Sequence, residues 1–221
     1  RTSSRYVVAD EVRQRAYGSF AAQNRAVTKE DYINLCYRMP TKFGSVKRVN
    51  VIKDPQSMNR ALNLYVLSSD SDGGLIKSSE SMKRNLKIWI DQFRMMSDSI
   101  DILDGKVINY GINFEVVADL DANIFSVLQQ CTDRLKEDFL NVKANFGESI
   151  FISDIYKTLN EVPGVTDTVK VEIVNKRGGV YSSLHYDIRD NLSRDGRFVM
   201  IPEDAVAEVL FPDQDISGVV K

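Results

Sequence analysis

The sequence predicts an α+β protein: a two-layer antiparallel or mixed sheet with amphipathic helices on one face, plus an N-terminal and a C-terminal arm. Three observations predict it. Apolar residues recur at helical spacing in two long stretches, Met82 to Phe93 and Ile124 to Val142. They alternate with a period of two in Leu62, Leu64, Val66 and again in Ile108, Tyr110, Ile112, Phe114, Val116. The elements run strand pair, helix, strand pair, helix, short helix, strand, an order that suits helices laid on one side of a sheet.

Residues 1–25 are of mixed character and end in the polar run Gln23, Asn24, Arg25, so they are expected to form an arm, with a short helix around Asp10 to Ala16. A core domain is expected over 26–176. Thr28 with Asp31 three residues on makes a capping box for a helix over 29–38, closed by Pro40. Strands follow at 46–52 and 62–67, then a Ser, Asp and Gly-rich loop at 68–74. Ser78 or Ser79 caps a helix to about Arg94 with the stripe Met82, Leu86, Trp89, Ile90, Phe93.

Asp104-Gly105 is a strong hairpin turn between a strand at Ile100–Ile102 and one at 107–118. In the second strand Asn109, Gly111, Asn113 and Glu115 alternate with the apolar set, which predicts one packed and one wet face. The longest helix, 123–145, carries Ile124, Val127, Leu128, Cys131, Leu135, Phe139 and Val142. A short helix, 154–161, is expected to be capped by Ser153 and stopped by Pro163-Gly164, and a last strand alternates through Val169, Val171 and Ile173. Residues 177–221 lose this periodicity and are expected to be an arm or a small β appendage.

A hydrophobic content of 43% and a charged content of 27% over 221 residues suit a globular chain with its own core. The 29 Lys and Arg nearly balance the 31 Asp and Glu, which speaks against a nucleic-acid binder that must displace counterions from phosphate. No apolar run reaches the roughly 20 residues a bilayer span needs. The sequence starts at Arg1 with no methionine and no signal peptide, and is expected to be a piece of a longer chain. Cys36 and Cys131 both fall on apolar helix positions; a disulfide is one reading and two reduced core thiols the favoured one.

Candidate chemistry is thin. His185 has Ser183 and Asp187 two residues to either side, but a triad needs its partners on different ring nitrogens and from separate elements, so a surface strand is the better reading. Asp70, Asp72 and Gly73 do not keep calcium-loop order before Glu80. Asp98, Asp101 and Asp104 flank a turn, where Asp is favoured for its local hydrogen bonds. No phosphate loop, HExxH or CxxC unit occurs, so no cofactor and no metal are expected. Asn191-Leu192-Ser193 matches a glycosylation acceptor by chance. The alternative function is an α+β enzyme or ligand-binding domain using the Asp98–Asp104 region or His185.

The run NRAVTKEDYINL, the strand LNLYVL, the helix NLKIWIDQFRMM, the strands from Ile100 to Val117, the long helix and the block GESIFISDIYKTLNEVPGVTDTVKV come in the order and spacing of one family. Over about residues 23 to 175 the chain resembles the baseplate J-like proteins of contractile phage tails, and within them the large wedge proteins of T4-like phages. Gly147, Ile152, Ser153, Ile155, Val162, Gly164 and Val165 match the family's glycine, capped helix and closing Gly-Val. Arg94-Met95 stands where the family often has Arg-Pro.

The resemblance implies the C-terminal portion of a virion protein that builds the inner ring of the baseplate. Its partners would be itself, as a homodimer with ring contacts, and other baseplate wedge proteins. No nucleic acid, membrane or small-molecule substrate would be involved, and no catalytic residue. Apolar residues outside the stripes, Phe198, Val199 and Phe211, are the candidates for the self-associating interface.

Overall fold

The computed structural model describes residues 25–54, 60–70, 73–141 and 144–221. Almost all of the expected N-terminal arm, with its helix at Asp10 to Ala16, and Val142 of the long helix lie outside them. The fold is α+β, as expected. Its contacts divide the chain between Gly105 and Lys106 into two compact units, each with its own core.

In the first unit helix α1 (Lys29–Tyr37) begins at the predicted capping box. The Asp31 N–H donates to Thr28 Oγ1 at 3.2 Å and the Thr28 N–H to Asp31 Oδ2 at 2.9 Å, which satisfies two of the N–H groups a helix start leaves open. The strands are β1 (Arg48–Lys53), β2 (Arg60–Ser69), β3 (Leu75–Lys77) and β4 (Asp98–Asp104), with helix α2 (Glu80–Asp91) between the last two. β2 is the hub. β1 pairs with it antiparallel, Val49 opposite Val66, while β4 pairs with it parallel, Leu64 opposite Ile102, and β3 extends its far end. Met82, Leu86 and Ile90 of α2 and Tyr32, Leu35 and Cys36 of α1 meet Val49, Val51, Leu64, Val66 and Ile100 in the core. Trp89 is half-buried and its Nε1–H donates to the Leu35 carbonyl at 3.0 Å, so the apolar ring packs while its polar edge is satisfied.

The second unit is built on β5 (Lys106–Ala118). It pairs antiparallel with β7 (Val165–Asn175) and parallel with β10 (Ile216–Val220), and its first four residues pair parallel with β9 (Ala205–Glu208). Helices α3 (Ile124–Asn141) and α4 (Ile152–Asn160) pack Val127, Cys131, Leu135, Ile155 and Leu159 against Ile108, Ile112, Phe114 and Val116. A two-residue ladder joins β6 (Ile150–Phe151) to β8 (Phe198–Val199), and a one-turn helix α5 (Pro212–Asp215) leads into β10. Both cysteines are free and buried.

The structure departs from the expectations at several points. Two buried clusters stand within the span 26–176 where one core domain was expected, and in 177–221, expected as an arm or a small β appendage, β9 and β10 pair with β5. Asp104-Gly105 does not turn a hairpin: β4 pairs with β2, β5 pairs elsewhere, and the Gly105 N–H donates to the Val66 carbonyl at 3.1 Å. A tight hairpin turn needs positive φ at its glycine, and Gly105 does not have it.

The second face of β5 is wet only toward its end. Asn113 is exposed and Glu115 half-exposed, but Asn109 is buried, with its Oδ1 accepting the Ser182 N–H at 2.8 Å, and Gly111 lies under Asp215. Val169 is 51% exposed because a bulge shifts the β5–β7 register between Glu115 and Val116, and Thr168 takes the inward place. Ser153 is not the cap of α4; the Ile152 and Ser153 N–H groups both donate to the Arg197 carbonyl, at 2.8 and 3.2 Å, which leaves a side-chain cap little to do.

Candidate functional site

The titratable residues singled out from sequence are not gathered by the fold. Along β4 the side chains alternate, so Asp98 is buried, Asp101 exposed and Asp104 half-buried. Asp98 and Asp104 stand about 20 Å apart at the usual rise of a strand. Asp98 accepts the Tyr32 hydroxyl at 2.7 Å and the Ser97 hydroxyl at 3.2 Å, a buried structural anchor between β4 and α1. Asp104 receives Lys83 at 3.2 Å, and Lys83 also meets Glu80 at 2.5 Å. His185, Ser183 and Asp187 are all exposed, and the Asp187 carboxylate accepts the Arg189 N–H at 2.9 Å, closing a local turn. Among the described residues no group of His, Cys, Asp and Glu could hold a metal ion. No described helix is long and apolar enough to cross a membrane.

Two hollows were not legible in the sequence. One, of about 280 Å³, lies in the second unit between α3, α4 and β5, lined by Tyr110, Leu135, Asp138, Glu148, Asp154 and Thr158 among others. Its polar groups are engaged: Asp138 accepts the Thr158 hydroxyl at 2.9 Å and Glu148 the Asn145 N–H at 2.8 Å. Burial, with Glu148 and Glu208 nearby, pushes the Tyr110 hydroxyl well above its ordinary pKa, so it stays protonated and serves as no base. The other, in the first unit, is a shallow open depression lined by Lys83, Arg84, Lys87 and Asp101. Neither joins a nucleophile to a base.

What the surface offers is contact area. Phe198 is half-buried and its ring lies 5.8 Å from that of Phe151, itself 49% exposed. Phe211 is 36% exposed and meets Tyr181 edge-on at 5.8 Å. Val199, by contrast, is wholly buried in the core of the second unit. Of the three interface candidates it is the one that leaves no surface for a partner to cover.

Asp215 anchors the region around Phe211. Its buried carboxylate accepts the Tyr181 hydroxyl at 2.7 Å and the Phe211 N–H at 2.9 Å, with Lys176 at 3.7 Å. Its hydrogen bond raises the Tyr181 pKa, with burial and the Asp215 charge acting the same way. Nothing in the local sequence distinguishes Asp215 from Asp213, which is exposed; only the fold over β5 does.

Two further apolar surfaces escaped the periodicity because they stand off the buried stripes. On α2 Ile88 is 64% exposed, one turn from Asn85, whose Nδ2 donates to the carbonyl of Phe43, itself 41% exposed. At the start of α3 Leu120 is fully exposed, Phe125 is 83% exposed and Ile124 51%. Ile124 belonged to the predicted stripe, yet the buried face starts only at Val127.

The chain shares its fold with a chain in the cryo-EM structure of the anti-feeding prophage baseplate, solved with sixfold symmetry imposed. The match has a TM-score of 0.53 at 14% sequence identity and covers 89% of this chain. The chain spans 40% of the length of that baseplate chain. At this identity the likeness is one of fold. No protein-family profile matches the sequence. No curated protein matches it either.

Proposed function

We propose that this chain is a structural subunit of a contractile-tail baseplate: a wedge component of the virion that associates with copies of itself and with other wedge proteins, and joins neighbouring wedges around the hub. The observation that carries the proposal is the fold shared over 89% of the chain with a baseplate chain. The order of sequence blocks from NRAVTKEDYINL to the closing Gly-Val supports the same reading independently. The work asked of such a subunit is shape and adhesion, and the dispersed, internally engaged carboxylates agree with it. Phe198 with its neighbour Phe151, and Phe211 on its Asp215 anchor, supply apolar area for a two-fold contact, in which one self-complementary patch serves both chains. A stable contact of this kind buries about 1,200–2,000 Å² in all.

The test is placement in the particle. Contractile particles purified from cells expressing a tagged chain are examined by mass spectrometry and cryo-electron microscopy. The expected result is the chain in the particles, with extra density at the tag's position in the baseplate. Particles that are complete without the chain overturn the proposal. Sedimentation tests self-association separately: a strict monomer at high micromolar concentration removes that part of it.

A further inference from the structure

We infer that the turn Asp119–Phe125 of one copy seats on the Phe43–Ile88 surface of a second copy, a head-to-tail contact distinct from any two-fold one. The inference rests on the proposed self-association and names the surfaces that carry one part of it.

The donor is a rigid, acidic, apolar tip. The Asp119 N–H donates to the Gly164 carbonyl and the Ala122 N–H to the Asp119 carbonyl, both at 3.0 Å. Asn123 Oδ1 accepts the Phe125 N–H at 3.0 Å and caps α3, and Asp119 Oδ1 accepts the Thr166 hydroxyl at 2.7 Å. A turn tied at four points loses little freedom on docking, yet it presents Leu120 and Phe125 almost wholly to solvent. Large exposed apolar residues on a rigid turn are what a partner buries. No Lys or Arg occurs between Lys106 and Arg134, so Asp119 and Asp121 have no cation of their own segment beside them.

The receiver has the opposite charge. Lys42 Nζ stands 4.8 Å from the centre of the Phe43 ring, and Arg84 lies one turn from Ile88 on the same side of α2, with Lys87 beside it. Lys42, Arg84 and Lys87 are exposed, and none forms an ion pair within 4 Å with a described residue; Glu80, held by Lys83, and the exposed Asp101 line the depression beside Arg84 and Lys87, and Asp91 is held by Arg94. The surface is therefore apolar at its centre with cations outnumbering anions at its rim, the complement of a tip that is apolar with an anionic rim. A contact between two different surfaces propagates from copy to copy and closes into a ring where the rotation allows.

Reciprocal charge reversal read by sedimentation equilibrium tests the contact, using the full chain. Asp121→Lys and Arg84→Glu are each expected to weaken self-association about tenfold or more, and an equimolar mixture of the two variants to restore it. Phe125→Ser is expected to weaken association with unchanged melting, because its side chain lies outside the core. Restoration in the doubly reversed chain but not in the mixture overturns the intermolecular contact. Parent chains that associate while both reversals have no effect overturn this contact and leave the proposed self-association standing. A parent that stays monomeric removes both, while baseplate membership is still decided by placement in the particle. Reversals that leave sedimentation unchanged but abolish incorporation into particles assign the surface to a different subunit, and also overturn the inference.

Discussion

Gly111 sits in the middle of β5, where a strand ordinarily gains from a side chain. Its backbone is not in the left-handed region, so Gly111→Ala by itself would narrow the unfolded ensemble and stabilise the protein by about 0.4–1 kcal/mol. The surroundings reverse the sign. A methyl there would lie 2.7 Å from the Asp215 carbonyl oxygen and 2.8 Å from Lys176 Cε. The lysine stem can swing aside. The carbonyl cannot, because Asp215 ends α5 while its side chain holds Tyr181 and the Phe211 N–H. Overpacking of a close-fitting site costs about 1–3 kcal/mol, and more where backbone must move. The expected outcome for Gly111→Ala is a net loss of about 1–2 kcal/mol. In a thermal melt of a unit this size that is a fall of roughly 4–12 °C. Urea denaturation followed by circular dichroism gives the same quantity as a shifted midpoint at unchanged slope. A Gly111→Ala chain as stable as its parent would refute the close approach of α5 to β5.

Three other perturbations read separate parts of the molecule. Tyr32→Phe takes a donor from the buried Asp98 carboxylate and is expected to cost about 1–3 kcal/mol in urea denaturation; a neutral result would mean the anchor is solvated. Val199→Ala should lower stability by about 2 kcal/mol through a cavity in the second core, whereas Phe211→Ala should act mainly on self-association; the reverse pattern in paired melting and sedimentation data would contradict the burial of the two side chains. At the capping box, burial pushes the Asp31 carboxyl up, but hydrogen bonds with Thr28 and Val27 outweigh it and hold the pKa below the ordinary value. The cap therefore contributes its full stability above the usual carboxylate range and loses it as pH falls through the lowered pKa. Asp31→Asn is expected to flatten that acid-side decline, and an unchanged acid melting curve would count against it.

Much of the fold was written in local pattern. The start of α1 needed only Thr28 and Asp31, because a capping box is closed within four residues. The stripe Met82, Leu86, Ile90 and the alternation Ile108 to Val116 name their buried faces through the geometry of one helix or one strand. The resemblance to a baseplate family came from the order of such segments, and the structural match is to a chain of that kind of assembly. The surfaces were less legible. Leu120, Phe125 and Ile88 look like any other apolar residue in the string, and their exposure follows from where the buried stripe points.

Local pattern thus determined which segments are helices and strands and which of their faces are apolar, since those depend on neighbours one to four residues away. Tertiary structure alone decided what each strand pairs with. Asp104-Gly105 has the composition of a hairpin turn, yet β4 and β5 find better partners far along the chain: β2 for one, and β7, β9 and β10 for the other. Strand pairing is chosen by competition among all available edges, and a short turn signal is worth less than a full ladder and a shared core. For the same reason the stretch after Lys176, which has no period of its own, became the strands and the Asp215 anchor that complete the second unit.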